Sequence, residues 1–100
     1  MNKRRVVVTG MGMLTPVGLN VKDTWQNILA GVSGVTIAED CDTAEYSTRI
    51  WAKVKNFNIE DYVSIKDARK MDVFIQYGMA ASIDVYVSFN FIFFILGLIF

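Results

Sequence analysis

The chain has 100 residues with ten basic and ten acidic side chains, a formal net charge of zero, one cysteine and no histidine. This length suits one small domain, and the balanced charge gives no electrostatic reason to expect nucleic acid as a partner. With Cys41 as its only thiol, the chain by itself excludes a zinc site, a histidine-activated nucleophile and an internal disulfide, and we expect a reducing, cytoplasmic compartment.

The first two predicted elements are a strand and a helix. Residues 5–13 read RVVVTGMGM, and three consecutive valines are typical of a strand covered on both faces, here running into a glycine-rich turn. In the following helix Asn20 is a suitable N-cap, Asp23 stands in the reciprocal position, and Gly31 is a stop signal. The apolar residues of this helix that fall on one face are Trp25, Ile28 and Leu29.

The later predicted elements are a short strand and a longer helix. A polar loop follows the first helix, and residues 49–54 are compatible with a second strand. Ser64 is predicted to begin the longer helix, and Asp67 completes a capping box with it. The predicted buried stripe of this helix contains Ala68, Met71, Ile75, Met79 and either Ser82 or Ile83.

The glycines near the start do not form a nucleotide-binding motif. Gly10 and Gly12 are followed by Thr15 where a dinucleotide fingerprint needs its third glycine, and Pro16 stands where the helix should already run. No lysine followed by serine or threonine completes a phosphate-binding loop. We therefore expect no cofactor, and we predict that Gly10 and Gly12 allow close backbone packing while Gly18 allows a turn.

Four sequence stretches together resemble a known family. KRRVVVTGMGMLTPVG, DTW, LAGVSG and ARKMDVFIQYGMAA are similar to the N-terminus of the β-ketoacyl-acyl-carrier-protein synthases, most closely the type II elongating enzymes of bacterial fatty-acid synthesis. The resemblance extends over residues 1–84. It implies an α/β chain with a partial thiolase-like fold, namely the first strand and early helices of a layered α/β/α/β/α architecture.

The resemblance implies an acyltransferase lineage. These synthases hold an acyl chain as a thioester on a cysteine, and malonyl-carrier protein loses carbon dioxide to attack it, assisted by two histidines and an oxyanion hole. In full-length members the catalytic residues lie downstream of the matched segment. Cys41 lies among Glu39, Asp40 and Asp42, whose negative charges disfavour a thiolate. We therefore predict no catalytic residue in this chain, which is expected to be inactive alone. Full-length members are homodimers, but that property is not transferable to this segment.

Lys66, Arg69 and Lys70 form a candidate docking surface. Their i, i+3, i+4 spacing places them on one face of a helix. From spacing alone, a solvated helix face is the simpler interpretation. The resemblance adds that basic residues at the matching positions dock the acidic acyl-carrier protein, and a basic cluster is suited to steering such a partner.

Residues 85–100, VYVSFNFIFFILGLIF, carry no charge and do not match the family. We interpret them as an unrelated apolar tail that arose by a frameshift or truncation. A resumption of synthase-like sequence in another reading frame beyond the codon for Asp84 would support the frameshift. One alternative is a membrane anchor, although sixteen residues span only about 24 Å as a helix against a hydrocarbon core of about 30 Å. The other is a hydrophobic strand.

Overall fold

A computed structural model of the chain describes the backbone of residues 3–99 and the side chains of residues 3–90. The elements in chain order are helix α1, strands β1 and β2, a 3-10 turn, and helices α2 and α3, with the bounds Val21–Leu29, Thr36–Ile37, Ile50–Trp51, Ile59–Asp61, Ile65–Ala68 and Val73–Ile99. They form two compact units, one built from Met13–Asn58 and the other from the segment before it together with the chain from Ile59 onward. This mixed composition agrees with a partial α/β fold.

The predicted buried strand at residues 5–13 is wrong for the described structure. These residues belong to no strand, and Val6 and Val8 are 90% and 79% exposed. A strand is defined by hydrogen bonds to a neighbouring strand, and no described residue supplies them here. Three valines in a row therefore indicate the apolar character of the segment without creating the sheet that would cover it.

The same N-terminal segment packs closely on α3 through its glycines. A methyl group added at Gly10 would lie 2.9 Å from the backbone oxygen of Val85, and one at Gly12 would overlap the backbone carbonyl of Ala81. Ala80, beside this contact on α3, is completely buried. The prediction that Gly10 and Gly12 permit close backbone packing is confirmed.

The unit Met13–Asn58 begins with a tight turn over residues 15–18. Thr15 and Gly18 exchange backbone hydrogen bonds, with N···O distances of 2.9 and 3.3 Å, and the Thr15 hydroxyl lies 3.0 Å from the hydroxyl of buried Thr24. A methyl group at Gly18 would lie 2.5 Å from the Thr24 backbone nitrogen. The predicted turn at Gly18 is confirmed, because only glycine fits between the turn and α1.

Helix α1 begins and ends at the predicted signals. The Asn20 side chain accepts a hydrogen bond from the Asp23 backbone nitrogen at 2.8 Å, and it donates to the Asp23 carboxylate at 3.0 Å. Gly31 adopts a φ of 73°, the left-handed conformation that commonly ends a helix. The apolar residues Trp25, Ile28 and Leu29 share a face that is more than half exposed in the described structure.

The two strands form a small antiparallel pair. Thr36 is opposite Trp51 and Ile37 is opposite Ile50. The strand predicted within residues 49–54 is confirmed for two residues, whereas its partner β1 lies in a stretch that we predicted as loop. The Lys53 ammonium group lies 5.4 Å from the centre of the Trp51 ring and pairs with Asp40, which ties the polar loop to the end of β2.

The predicted single helix from Ser64 is wrong, because it is broken between α2 and α3. After Ala68 the backbone tightens, with Lys70 and Met71 donating to residues three positions earlier, and Asp72 then accepts the first backbone bonds of α3 from Ile75 and Gln76. The predicted stripe is also only partly right. Ala68 is buried, but Ile75 and Met79 are exposed, and Ala80 lies on the covered face instead.

Helix α3 extends through residue 99, so the interpretation of the tail as a hydrophobic strand is wrong. The membrane interpretation rests largely on residues 91–100, whose side chains lie outside the described residues. Among the residues that the structure describes, no helix is both long enough and apolar enough to cross a membrane.

The glycine contact on α3 predicts opposite effects for two alanine substitutions. Gly12→Ala should lower the free energy of unfolding by about 1–3 kcal/mol, because the new methyl group overlaps the α3 backbone. Gly78→Ala is the matched control inside α3, where a methyl group meets no described atom of another element within 4 Å; it should raise stability by up to about 1 kcal/mol. Urea unfolding followed by circular dichroism measures both changes. Equal stabilities for the two variants would contradict the described packing.

Candidate functional site

The candidate site is the basic turn, which we define as Lys66, Arg69 and Lys70. Lys66 lies within α2, Arg69 caps its C-terminus with helical dihedral angles, and Lys70 continues the turn. The Arg69 and Lys70 backbone nitrogens donate to Ile65 and Asp67, each at 3.1 Å. The three side chains therefore belong to one helical turn, although the helix is much shorter than we predicted.

The Ser64 N-cap fixes the start of this turn. The Asp67 backbone nitrogen donates to the Ser64 hydroxyl at 3.2 Å, and that hydroxyl donates to the Asp67 carboxylate at 2.8 Å. Ser64 has the extended backbone of an N-cap residue. The predicted N-cap at Ser64 is confirmed. The reciprocal bond of a capping box is not observed between these two described residues, because the Asp67 carboxylate accepts from the Ser64 hydroxyl rather than from the Ser64 backbone nitrogen.

Gln76 fixes the end of the turn. Its side-chain nitrogen donates to the backbone oxygens of Ala68 and Met71, both at 3.3 Å. These oxygens flank Arg69 and Lys70, and Gln76 itself lies half-buried in the first turn of α3. Sequence reasoning missed this residue, because apolar spacing assigns no role to a polar side chain and no motif marks a bond across a helix break.

The underside of the turn is covered, whereas its basic side chains face solvent. Ala68 is buried, and Lys66, Arg69 and Lys70 are all exposed. None of these three cations forms a salt bridge with a described residue. Their charges are therefore available to an external anion or acidic surface.

Partly covered ionisable groups lie elsewhere in the same unit. Burial raises the pKa of the Tyr62 hydroxyl, and the negative charges of Asp84 and Asp61 raise it further. Burial also raises the pKa of the Asp84 carboxyl. Tyr62 directly follows the 3-10 turn and lies two residues before the N-cap Ser64.

The remaining candidate, Cys41 with its acidic neighbours, lies in the other unit. Cys41 is an exposed free thiol, and Asp42 accepts a hydrogen bond from the Ala44 backbone at 3.0 Å. An open cleft of about 500 Å³ is lined by residues that include Asp40, Trp51 and Lys53. Within the described part of the chain, no three His, Cys, Asp or Glu side chains are grouped to hold a metal ion.

Comparison with known proteins identifies the family. The profile described as "Beta-ketoacyl synthase, N-terminal domain" matches residues 3–86. The 3-oxoacyl-[acyl-carrier-protein] synthase 2 of Vibrio cholerae serotype O1 is 60% identical over 83 residues, which is 83% of this chain and 20% of that protein.

Two further relatives have the same name. The enzyme of Vibrio harveyi is 57% identical over 83 residues, with the same shares of both chains. That of Staphylococcus aureus strain COL is 49% identical over 79 residues, covering 79% of this chain and 19% of its own. The chain thus spans about a fifth of the length of these curated relatives. It belongs to the β-ketoacyl synthase family, within the N-terminal domain of that family.

Proposed function

We propose that this chain is the carrier-protein docking part of a fatty-acid-elongating condensing enzyme. The reaction of that enzyme joins an acyl thioester to malonyl-carrier protein, releases carbon dioxide and yields 3-oxoacyl-carrier protein. The observation that carries the proposal is the basic turn, with three exposed cations on one helical turn, none of which forms a salt bridge with a described carboxylate. The match to proteins whose name specifies an acyl-carrier-protein substrate supports it.

Electrostatics suits the basic turn to this role. A cluster of like charges attracts an oppositely charged partner over roughly a Debye length, about 8 Å at physiological ionic strength, and it orients that partner as it approaches. The two hydrogen bonds between Ser64 and Asp67 order the turn before binding. Ordering in advance reduces the conformational entropy that docking would otherwise cost.

We further propose that this chain does not carry out the condensation by itself. It contains no histidine to stabilise the developing enolate, and its thiol, Cys41, lies exposed in an acidic loop. The proposal assigns residues 1–84 to the synthase domain and residues 85–100 to a tail of different origin. The end of the family match at residue 86 supports this boundary.

The docking proposal predicts that charge reversal at the basic turn abolishes carrier-protein binding. The triple variant Lys66→Glu, Arg69→Glu, Lys70→Glu should weaken binding at least about ten-fold, since it replaces attraction with repulsion. The matched control is Lys3→Glu, Arg4→Glu, Arg5→Glu, which reverses three exposed cations outside the turn and should change binding less than about three-fold. Fluorescence anisotropy with labelled acyl-carrier protein measures both. Equal losses in the two variants, or no loss in the first, would remove the proposal.

The absence of condensing activity is tested by acyl loading. When the purified chain is incubated with radiolabelled acyl-carrier protein, we expect no stable label on the chain, because Cys41 lacks a base to activate it. The Cys41→Ser variant should behave identically. Label that accumulates on the wild-type chain and is lost in Cys41→Ser would overturn the proposal.

A further inference from the structure

We propose that Gln76 is a positioning residue for carrier-protein docking, because its carboxamide clamps the basic turn to α3. This inference rests on the docking function proposed above. Gln76 donates from one nitrogen to the backbone oxygens of Ala68 and Met71, at 3.3 Å each. The peptide units of Arg69 and Lys70 lie between these two oxygens, so the clamp encloses the part of the turn that carries two of the three cations.

The break between the helices creates the need for this clamp. Helix α2 has four residues, far fewer than an isolated helix needs for stability in water. The last carbonyl groups of a helix have no partner within the helix itself. The Ala68 carbonyl oxygen accepts a hydrogen bond from the Met71 backbone nitrogen at 3.0 Å. The Gln76 side chain, on the neighbouring helix, donates a second hydrogen bond to the same oxygen.

Gln76 can hold the turn because its own backbone is fixed. The backbone nitrogen of Gln76 donates to the backbone oxygen of Asp72 at 3.1 Å in the first turn of α3. The Gln76 side chain is half-buried. Without the Gln76 carboxamide, the basic turn would sample more orientations, and a partner would have to select the one that matches its acidic surface.

Gln76 contributes no charge, so its removal has a distinctive signature. Gln76→Ala should weaken binding of acyl-carrier protein about three- to ten-fold, as expected for the loss of a hydrogen-bonding group. The salt dependence of binding should stay as in the wild type, because all three cations remain. Hydrogen exchange should accelerate at the Arg69, Lys70 and Met71 amides, which report local opening.

Ser82→Ala is the matched control. It also removes a side-chain hydrogen bond to a backbone oxygen in α3, from Ser82 to Gly78 at 2.7 Å, but away from the basic turn. Binding should change by less than about two-fold in this variant. Unfolding measured in urea separates a local effect of Gln76→Ala from general destabilisation.

The outcomes distinguish the inference from the function on which it rests. If wild-type binding depends on the three cations but Gln76→Ala binds equally well, the positioning role is wrong and docking stands. A change in salt dependence in Gln76→Ala, or an equal loss in Ser82→Ala, also overturns the role. If the wild-type chain does not bind carrier protein at all, the docking function and the inference both fail.

Discussion

The close approach of the N-terminal segment to α3 is the contact on which the unit containing α2 and α3 depends. Gly12 lies so near the Ala81 carbonyl that no side chain fits between them, and a methyl group at Gly10 would lie 2.9 Å from the Val85 backbone oxygen. The segment otherwise presents exposed valines, so backbone proximity rather than side-chain burial holds it in place. Two backbone segments can make van der Waals contacts at such short distances only where no large side chain separates them. Gly10 and Gly12 meet this condition on the side of the N-terminal segment.

Helix α3 joins this contact to the candidate site. Its middle supports the glycine segment, and its first turn presents Gln76 to the end of α2. A four-residue helix has little stability of its own, so the basic turn depends on a cap at each end, from Ser64 on one side and from Gln76 on the other. The charges that would meet a carrier protein thus lie on a turn that side-chain hydrogen bonds hold at both ends.

Local signals in the sequence predict local structure well here. The caps at Asn20 and Ser64 and the stop at Gly31 occur where they are predicted, since each depends on atoms only a few residues apart. The strand at residues 5–13 and the uninterrupted helix from Ser64 are not observed. A strand needs partners distant in sequence, and helix continuity depends on tertiary contacts that can override propensity. Spacing placed Lys66, Arg69 and Lys70 on one turn correctly, but Gln76 acts across a break that no periodicity reveals.

The central claim is that the basic turn is the surface of this chain that meets acyl-carrier protein. A nuclear magnetic resonance titration of the isotope-labelled chain with unlabelled carrier protein tests it residue by residue. The account predicts that amide shifts concentrate between Ser64 and Asp72, accompanied by the side-chain amide of Gln76. Shifts centred on Lys3, Arg4 and Arg5, or around Lys53 and Lys55, with none at the basic turn, would contradict it.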